Sequence, residues 1–399
     1  MVGKIEYAGA NHPSFEQAAR SLEHLAELSI SGMHVQRVTE RLGRQRQAER
    51  DRQVEQFKAG QLQPTHRQPP AVAAVHLDAG KVQMRQQDAG RGVHQPHWSD
   101  DKVACLVTYP ANATAGHDPH PEPPAAFLER PTVLRLCQEI SRVRNDPSTT
   151  PTAQRPGQTS AGKGGEADGP PRGGPKPLLR TAVATMQSAE PFGWMVAAEA
   201  KARGFYEAPV RGLLGDGGNW ISPLGQMHFD GWVQVLDFVH LIGHLFSAAT
   251  AAYRTQANPA WKLYVRWVRL AWAGAIKQLR ASMNDQLLRL GPSPPQASPD
   301  DPRRTLAQEI GYVGENSGRM DYPAYRRAGL PVSSAAVESL IKQFNQRVKG
   351  TEKFWARGGA EAILQSRAAF LSDDGRAEDF YARRPRGPAV GQNRRKLVA

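Results

Sequence analysis

The sequence predicts an α/β layer, and three observations carry that expectation. Short apolar strands alternate with helical stretches, an early antiparallel hairpin precedes that alternation, and a long Pro/Gly-rich stretch splits the strands into two groups. The 399 residues suffice for two ordinary domains or one large domain carrying an insertion. Lys and Arg number 51 against 38 Asp and Glu, a formal charge of +13, which favours a polyanionic partner, nucleic acid first and an anionic membrane second. With only two cysteines, Cys105 and Cys137, a disulfide framework and a Cys-rich zinc module are excluded. No apolar run approaches the roughly 18 residues of a spanning helix, and Met1 to Asn11 lacks a basic-then-apolar leader pattern. The expectation is a soluble, cytoplasmic protein that engages no membrane.

The first sixty residues read as helices. Ser14 is a candidate N-cap for Phe15 to Leu28, where Ala18, Leu22 and Leu25 lie near one face. Met33 to Phe57 is rich in Arg, Gln and Glu and poor in large apolar residues, so it reads as an exposed arm or a partner-dependent helix. After a Pro/Gln/His linker, Ala71 to Leu77 is an apolar strand ending at Asp78. Asp78-Ala79-Gly80 reads as a tight turn, and Lys81 to Arg85 as its returning strand. Lys102 to Tyr109 makes a third strand, and a helix follows between about Pro124 and Val143. Asn145 to Pro177 is low in complexity and cannot bury enough apolar surface to offset its ordering entropy.

Folding is expected to resume with a helix from Phe192 to Gly204, strands at Val210 to Gly215 and Val233 to Leu236, and a helix from Val239 to Tyr253. Trp261 to Leu290 is the clearest amphipathic segment. Trp261, Val265, Val268, Trp272, Ile276, Leu279, Met283 and Leu287 fall at steps of four and three, and Lys262, Arg266, Arg269, Lys277 and Arg280 form a basic stripe beside them. Such a stripe is either solvated or in contact with phosphates. Pro331 to Leu371 reads as two helices around Gly350 and Gly358-Gly359, and the tail from Arg383 is basic and without acid. Trp98 and Trp220 read as core residues.

Acids just past strand ends in such a layer stand together at one edge of the sheet. Asp78 and Asp216 have that placement, and Glu338 lies in the helix Ser333 to Ile341 among small and apolar neighbours. Each also has a plain reading, as turn residues and as a solvated helix position. Three carboxylates drawn within ~5 Å would repel strongly unless cations sat between them, which hard divalent ions with oxygen ligands do. His240 and His244, one helical turn apart, would suggest zinc only with a third ligand, and none is evident.

Several ordered motifs resemble a known family. Val75-His76-Leu77-Asp78-Ala79-Gly80, followed by Gly92-Val93-His94 and His97-Trp98, is similar to the first-aspartate region of insertion-sequence transposases of the Kra group, relatives of the Mutator-like transposases. Gly215-Asp216-Gly217-Gly218-Asn219-Trp220, then Leu236-Asp237-Phe238-Val239-His240, resembles the second. Arg319-Met320-Asp321-Tyr322-Pro323, Gly329-Leu330-Pro331-Val332-Ser333-Ser334 and Val337-Glu338-Ser339 resemble the glutamate region, and Val348-Lys349-Gly350-Thr351-Glu352-Lys353-Phe354-Trp355 continues it. Where many relatives carry Gly-Ser-Gly before the glutamate, this chain has Ser333-Ser334-Ala335.

The resemblance implies an RNase H-like catalytic core with a helical insertion, preceded by a helical N-terminal segment. It implies a DDE triad of Asp78, Asp216 and Glu338 that binds two Mg²⁺ or Mn²⁺ ions, cleaves DNA at element ends and joins the freed 3′-hydroxyl to target DNA. Asp237 and His240 match the Asp-x-x-His signature of Mutator-like relatives, in a second-rank role. Expected segments are a helical start over 1–62, core parts over 63–144 and 178–240, a linker over 145–177, a helical insertion over 241–325, C-terminal core helices over 326–382 and a flexible tail over 383–399. Phosphate contact is expected from the stripe at Lys262 to Arg280 and from Arg347, Lys349 and Lys353, with a homo-oligomer on paired DNA ends. The chain starts close to its first helices, so a separate end-recognition region is expected to be short or missing. A DNA-binding remnant without catalysis is the alternative, and a nuclease that cuts without joining is a third.

Overall fold

The computed structural model describes residues 1–65, 68–85, 97–114, 116–145, 174–254, 256–298, 300–350 and 353–384. Most of the expected linker over Asn145 to Pro177, the Gly92-Val93-His94 part of the first motif, Thr351-Glu352 and the basic tail beyond Arg384 lie outside them.

The chain opens on the helices α1 (Val2–Asn11), α2 (Phe15–Ala26) and α3 (Gly32–Lys58). Ser14 caps α2 by accepting from the Gln17 N–H at 3.1 Å, and Ser31 caps α3 by accepting from the His34 N–H at 3.2 Å. The exposed arm expected at Met33 to Phe57 is instead packed into the fold. Val35, Val38 and Leu42 are buried with Ile5, Leu22 and Phe380. A Cβ at Gly43 would lie 2.0 Å from the Ala362 carbonyl oxygen, so this helix crosses another nearly backbone to backbone. A small residue at the crossing lets the helix pack with few large apolar ones.

Among the described residues, five strands follow: β1 (Val72–Gln83), β2 (Trp98–Tyr109), β3 (Leu179–Thr185), β4 (Val210–Gly215) and β5 (Val233–Leu236). Their order across the sheet is β3-β2-β1-β4-β5, with β1–β2 and β2–β3 antiparallel and β1–β4 and β4–β5 parallel. The tight turn expected at Asp78-Ala79-Gly80 does not exist. Asp78, Ala79 and Gly80 pair in unbroken register with Val103, Lys102 and Asp101, so the two expected strands are one. The glycine serves its neighbour rather than a bend, because a Cβ at Gly80 would lie 2.5 Å from Asp101 Oδ1. The edge strand β3, unforeseen from its short Leu-Arg-Thr-Ala-Val-Ala-Thr run, completes the sheet.

The helices between and beyond the strands are α4 (Arg130–Asn145), α5 (Ala189–Ala202), α6 (Ile221–His228), α7 (Phe238–Tyr253), α8 (Ala257–Trp272), α9 (Ile276–Leu290), α10 (Pro302–Glu315), α11 (Tyr322–Arg327), α12 (Ala335–Val348), α13 (Arg357–Leu371) and α14 (Arg376–Ala382). The single amphipathic segment expected over Trp261 to Leu290 is two helices, α8 and α9, broken at Gly274, whose φ of +70° favours glycine. Trp267 Nε1 donates to Ser282 Oγ at 3.0 Å across that break. Gly358 and Gly359 sit in the first turn of α13 rather than between helices.

The two faces of the sheet are separate cores. Ala73, Val75 and Leu77 of β1 pack with Phe192, Val196 and Leu224 of α5 and α6. Val72, Ala74, Val82 and Met84 pack on the other side, in the cluster that contains Leu241, Trp267, Phe344 and Ile363. Side chains alternate along a strand, so Asp78 shares this second face, the one covered by α7 and α12. Among the described residues no helix is long and apolar enough to cross a membrane.

A buried ion network fastens the chain end of this body. The Asp374 side chain is 1% exposed and bonds Arg203, Arg376 and Thr181, while Glu199 bonds Arg203 at 3.0 Å and also Arg376. Burial alone would raise both carboxyls, but the charges of Arg376 and Arg203 outweigh it and hold both below their usual range. The unfolded chain therefore takes up protons first as pH falls, so this stabilisation is complete above the ordinary carboxylate range of about 4 and is lost below it. Asp374→Ala should cost about 3 kcal/mol at neutral pH in urea unfolding, the low end for a broken buried pair because Arg376 is a quarter exposed. The difference from wild type should shrink below about pH 4, and a loss independent of pH would contradict the network as its cause.

Candidate functional site: an acid cluster at one edge of the sheet

The parallel strands β1, β4 and β5 deliver their following residues to one edge of the sheet. Asp216 directly follows β4, and Asp237 directly follows β5. Asp78 lies within β1, two residues past His76, the last of its residues paired with β4. The Asp237 N–H donates to the Gly215 carbonyl at 2.8 Å, which fixes the start of α7 against the residue preceding Asp216.

Asp237 organises the cluster. As N-cap of α7 it accepts from the Val239 N–H at 3.2 Å through Oδ1 and from the His240 N–H at 3.1 Å through Oδ2. Oδ1 also accepts from the Ser334 N–H at 2.8 Å, and Oδ2 lies 2.5 Å from His240 Nδ1. Its side chain is 0% exposed, and four bonds occupy its two oxygens. Ser334 passes the order on, because its Oγ donates to Glu338 Oε1 at 3.0 Å in the first turn of α12. Ser334 thus uses backbone and side chain to tie α7 to the glutamate.

Asp216 is held by a different set of contacts. Its Oδ1 accepts from the Gly218 N–H at 2.9 Å, and its carbonyl accepts from the Tyr312 hydroxyl at 2.7 Å. Gly217, at φ +86°, takes the left-handed turn, and a Cβ there would lie 3.0 Å from Asn316 Oδ1. Tyr312 is backed by His244, whose ring stacks on it with centroids 3.6 Å apart and whose Nδ1 lies 2.6 Å from Glu309 Oε2. His240 and His244 therefore pair with different carboxylates.

Burial pushes the Asp78 carboxyl up to about 7, with His240 opposing and Asp216 and Glu338 adding to the rise. Burial likewise raises Glu338, and the charge of Asp237 raises it further. Burial would lower His240, but its bond to Asp237 and the charges of Asp237, Glu338 and Asp78 drive it well above its ordinary value. Asp237 itself is held low despite burial, by His240 and Ser334. A fixed carboxylate, an imidazolium and three further acids thus share one electrostatic neighbourhood.

Ligand atoms of Asp237, His240 and Glu338 lie within 4.8 Å of one another, a spacing that could hold a metal ion. The four bonds on Asp237 make it the organiser of that trio. Among the described residues this is the one such trio, so the expected Asp78, Asp216 and Glu338 do not come together at that spacing; each of the three is partly exposed. Asp237 and His240, expected in a second-rank role, lie in that trio and are joined by a side-chain bond. The sequence signal for them was the Asp-x-x-His spacing in Leu236-Asp237-Phe238-Val239-His240, read there from the resemblance. Ser334, Tyr312 and Asn316 carried no sequence signal as individual residues.

The expected phosphate contacts divide. Lys262, Arg266, Arg269, Lys277 and Arg280 are exposed on α8 and α9. Arg347 is 2% exposed, donates through Nε to the Gly9 carbonyl at 2.8 Å and lies against Phe15 and Trp355 at 4.4 and 5.1 Å. Lys349 is buried, and Lys353 donates to the Arg347 carbonyl at 3.1 Å. Arg347 therefore packs against α1 and Lys349 is buried, while Lys353 is partly exposed. Trp220 meets Phe192 edge-on with centroids 5.9 Å apart, in keeping with a core role. Trp98 is only half-buried, with Lys349 Nζ 6.0 Å from its ring.

Comparison of the chain with protein-family models and with curated proteins returns no match.

Asp237 and Asp78 should respond in opposite directions to loss of their charge. Asp237→Asn puts an amide donor against N–H donors and should cost about 3 kcal/mol in urea unfolding without added metal. Asp78→Asn keeps an acceptor for the Ala79 N–H at 2.7 Å and removes a repelled buried charge, so it should be neutral or stabilising. Equal losses in the two variants would contradict this division.

Proposed function

We propose that the protein is a metal-dependent DNA strand-cleaving and strand-transferring enzyme of the DDE transposase type, with an RNase H-like core. The observation that carries this reading is the placement of Asp78 on the middle strand, Asp216 after its parallel neighbour and Glu338 in the first turn of a C-terminal helix, near enough for the charges of Asp216 and Glu338 to raise Asp78. The sheet order, three antiparallel strands followed by two parallel ones, supports an RNase H-like core. So does the position of Glu338, on a helix covering the face of β1 that carries Asp78.

The donor chemistry fits hard divalent ions. Asp78, Asp216 and Glu338 offer oxygen ligands, and burial together with the charges of Asp216 and Glu338 disfavours the ionised form of Asp78, a cost that a bound cation would offset. Asp78, Asp216 and Glu338 would hold two Mg²⁺ or Mn²⁺ ions. When bound, such a pair lowers the pKa of an attacking water or 3′-hydroxyl and stabilises the leaving oxygen of a phosphodiester.

The chain's own residues supply the rest. Asp237 fixes His240 through Nδ1 and keeps it protonated, which leaves Nε2 as a donor to an anionic substrate. The bonds from Tyr312 to Asp216 and from Ser334 to Glu338 set two of the ligands before substrate arrives, so little reorganisation is needed at the reacting centre. The exposed stripe from Lys262 to Arg280 is the surface assigned to phosphates, and a homo-oligomer on paired DNA ends belongs to the same proposal.

The test is strand cleavage on DNA carrying the sequence that flanks the coding region, with Mg²⁺ or Mn²⁺, wild type beside Asp216→Asn. Metal-dependent nicking should appear in the wild type and fall at least about 100-fold in the variant, with DNA binding retained. Equal DNA binding by both proteins with cleavage by neither would overturn the enzymatic reading and leave a binding remnant.

A further inference from the structure

The seam where α1 meets α12 and α13 gathers positive charge. Arg347 of α12 and Arg367 of α13 are both buried, at 2% and 4% exposed. Arg347 donates through Nε to the Gly9 carbonyl at 2.8 Å. Arg367 donates to Asn11 Oδ1 and, at 2.8 Å, to the Gln343 carbonyl one turn before Arg347. These partners are all neutral. Arg347 Nη2 and Arg367 Nε, both sealed from solvent, have no hydrogen-bond partner among the described residues. We propose that the two guanidiniums enclose a small monovalent anion of the chloride class, which accepts from Arg347 Nη2 and Arg367 Nε and clamps α1 onto the two helices. The site lies apart from the acid edge of the sheet and does not rest on the DNA reading.

The acids of the elements that form the seam are engaged elsewhere. Each of the three helices carries a single acid. Glu6 of α1 bonds Arg46, Ser366 and Tyr381. Glu361 of α13 bonds Arg50, Thr185 and the Met186 N–H. Glu338 bonds Ser334 in the first turn of α12, whereas Arg347 lies in the last. Glu16 follows Phe15, whose ring lies 4.4 Å from the Arg347 guanidinium, but its carboxylate stands where a Cβ at Gly32 would be. Burial, with the charge of Arg367 beside it, lowers Arg347 to about 10, so it stays ionised at neutral pH. Burial lowers Arg367 as well, and among the described residues no carboxylate opposes either shift. Lys353 adds a third cation, donating to the Arg347 carbonyl at 3.1 Å.

The setting selects the occupant. A water would satisfy the two N–H donors but leave the buried charge unbalanced, whereas an anion does both. The two donor atoms have no solvent contact, so the occupant sheds its hydration, and that penalty rises steeply with charge. A doubly charged sulfate or phosphate is therefore disfavoured. A single atom imposes no donor directions, so it can take one charge-assisted bond from each guanidinium as the two side chains stand. Once bound, the anion ties the last turn of α12 to α13 and α1, and α12 is the helix whose first turn carries Glu338.

The experiment uses the full chain. Thermal unfolding is followed at fixed ionic strength as sodium chloride replaces sodium gluconate, and crystals grown in sodium bromide are examined by anomalous diffraction. The wild-type midpoint should rise by about 1–2 °C for each tenfold increase in chloride once the site is filled. A general salt effect runs the other way, because a strongly excluded ion such as gluconate stabilises on its own. A bromide peak should lie between Arg347 Nη2 and Arg367 Nε. Arg367→Gln removes one charge and one donor, and it should lose the chloride response whatever its own midpoint. The wild-type bromide map decides the matter even where that variant fails to fold. A wild-type midpoint indifferent to chloride, a map without bromide between the two guanidiniums, or an unchanged response in Arg367→Gln would each overturn the site. None of these outcomes bears on DNA cleavage, so the two readings stand or fall separately.

Discussion

The carboxylate of Asp237 is the contact on which the site depends. Its main chain is tied to the last residue of β4, one oxygen reaches the loop before α12, and the other holds His240. Segments 97 residues apart in sequence thus meet on one side chain. The residue is wholly buried, so every bond on it acts at reduced dielectric and none is shared with water. Its burial is also why it organises rather than reacts: a carboxylate already engaged by three N–H groups and an imidazole has little left to offer an ion.

Around that anchor the chain gathers charge that its own folding does not favour. Asp78 and Glu338 are both driven up by burial, and neighbouring acids add to the rise. His240 offsets part of this, held as a cation by the residue that positions it. Such an arrangement is poor for stability, and under the proposed function a divalent cation would offset it. The stabilising ion network of Asp374, Glu199, Arg203 and Arg376 is a separate set of contacts, fully paired within the chain. The acid edge of the sheet, unlike that network, holds carboxyls that burial and neighbouring acids push up.

Much of this was legible in the sequence, for identifiable reasons. Val210 to Gly215 and Val233 to Leu236 are short apolar runs with clear ends, and the structure gives the same bounds. Asp216 followed from its place after the first of them. Other features were hidden because local chemistry has two solutions. Asp-Ala-Gly suits a turn, but here Gly80 makes room for Asp101 within an unbroken strand. The helix from Gly32 to Lys58 looked too polar to pack, because Gly43 at a close crossing leaves no apolar trace. Arg347 counted as surface charge on composition, whereas Phe15, Trp355 and the Gly9 carbonyl bury it. Tyr312 and Ser334 act through contacts 96 and 97 residues away in sequence, which no spacing rule reaches.

The central claim is that Asp237 orders the site while Asp78, Asp216 and Glu338 hold the ions. Anomalous diffraction from crystals of the protein soaked in Mn²⁺ tests it most directly. The account predicts manganese bound to oxygens of Asp78, Asp216 and Glu338, with Asp237 still on Ser334 and His240. An ion seated between Asp237 and His240, with the bond between them broken, would contradict it, and so would a manganese-soaked crystal with no ion at this edge of the sheet.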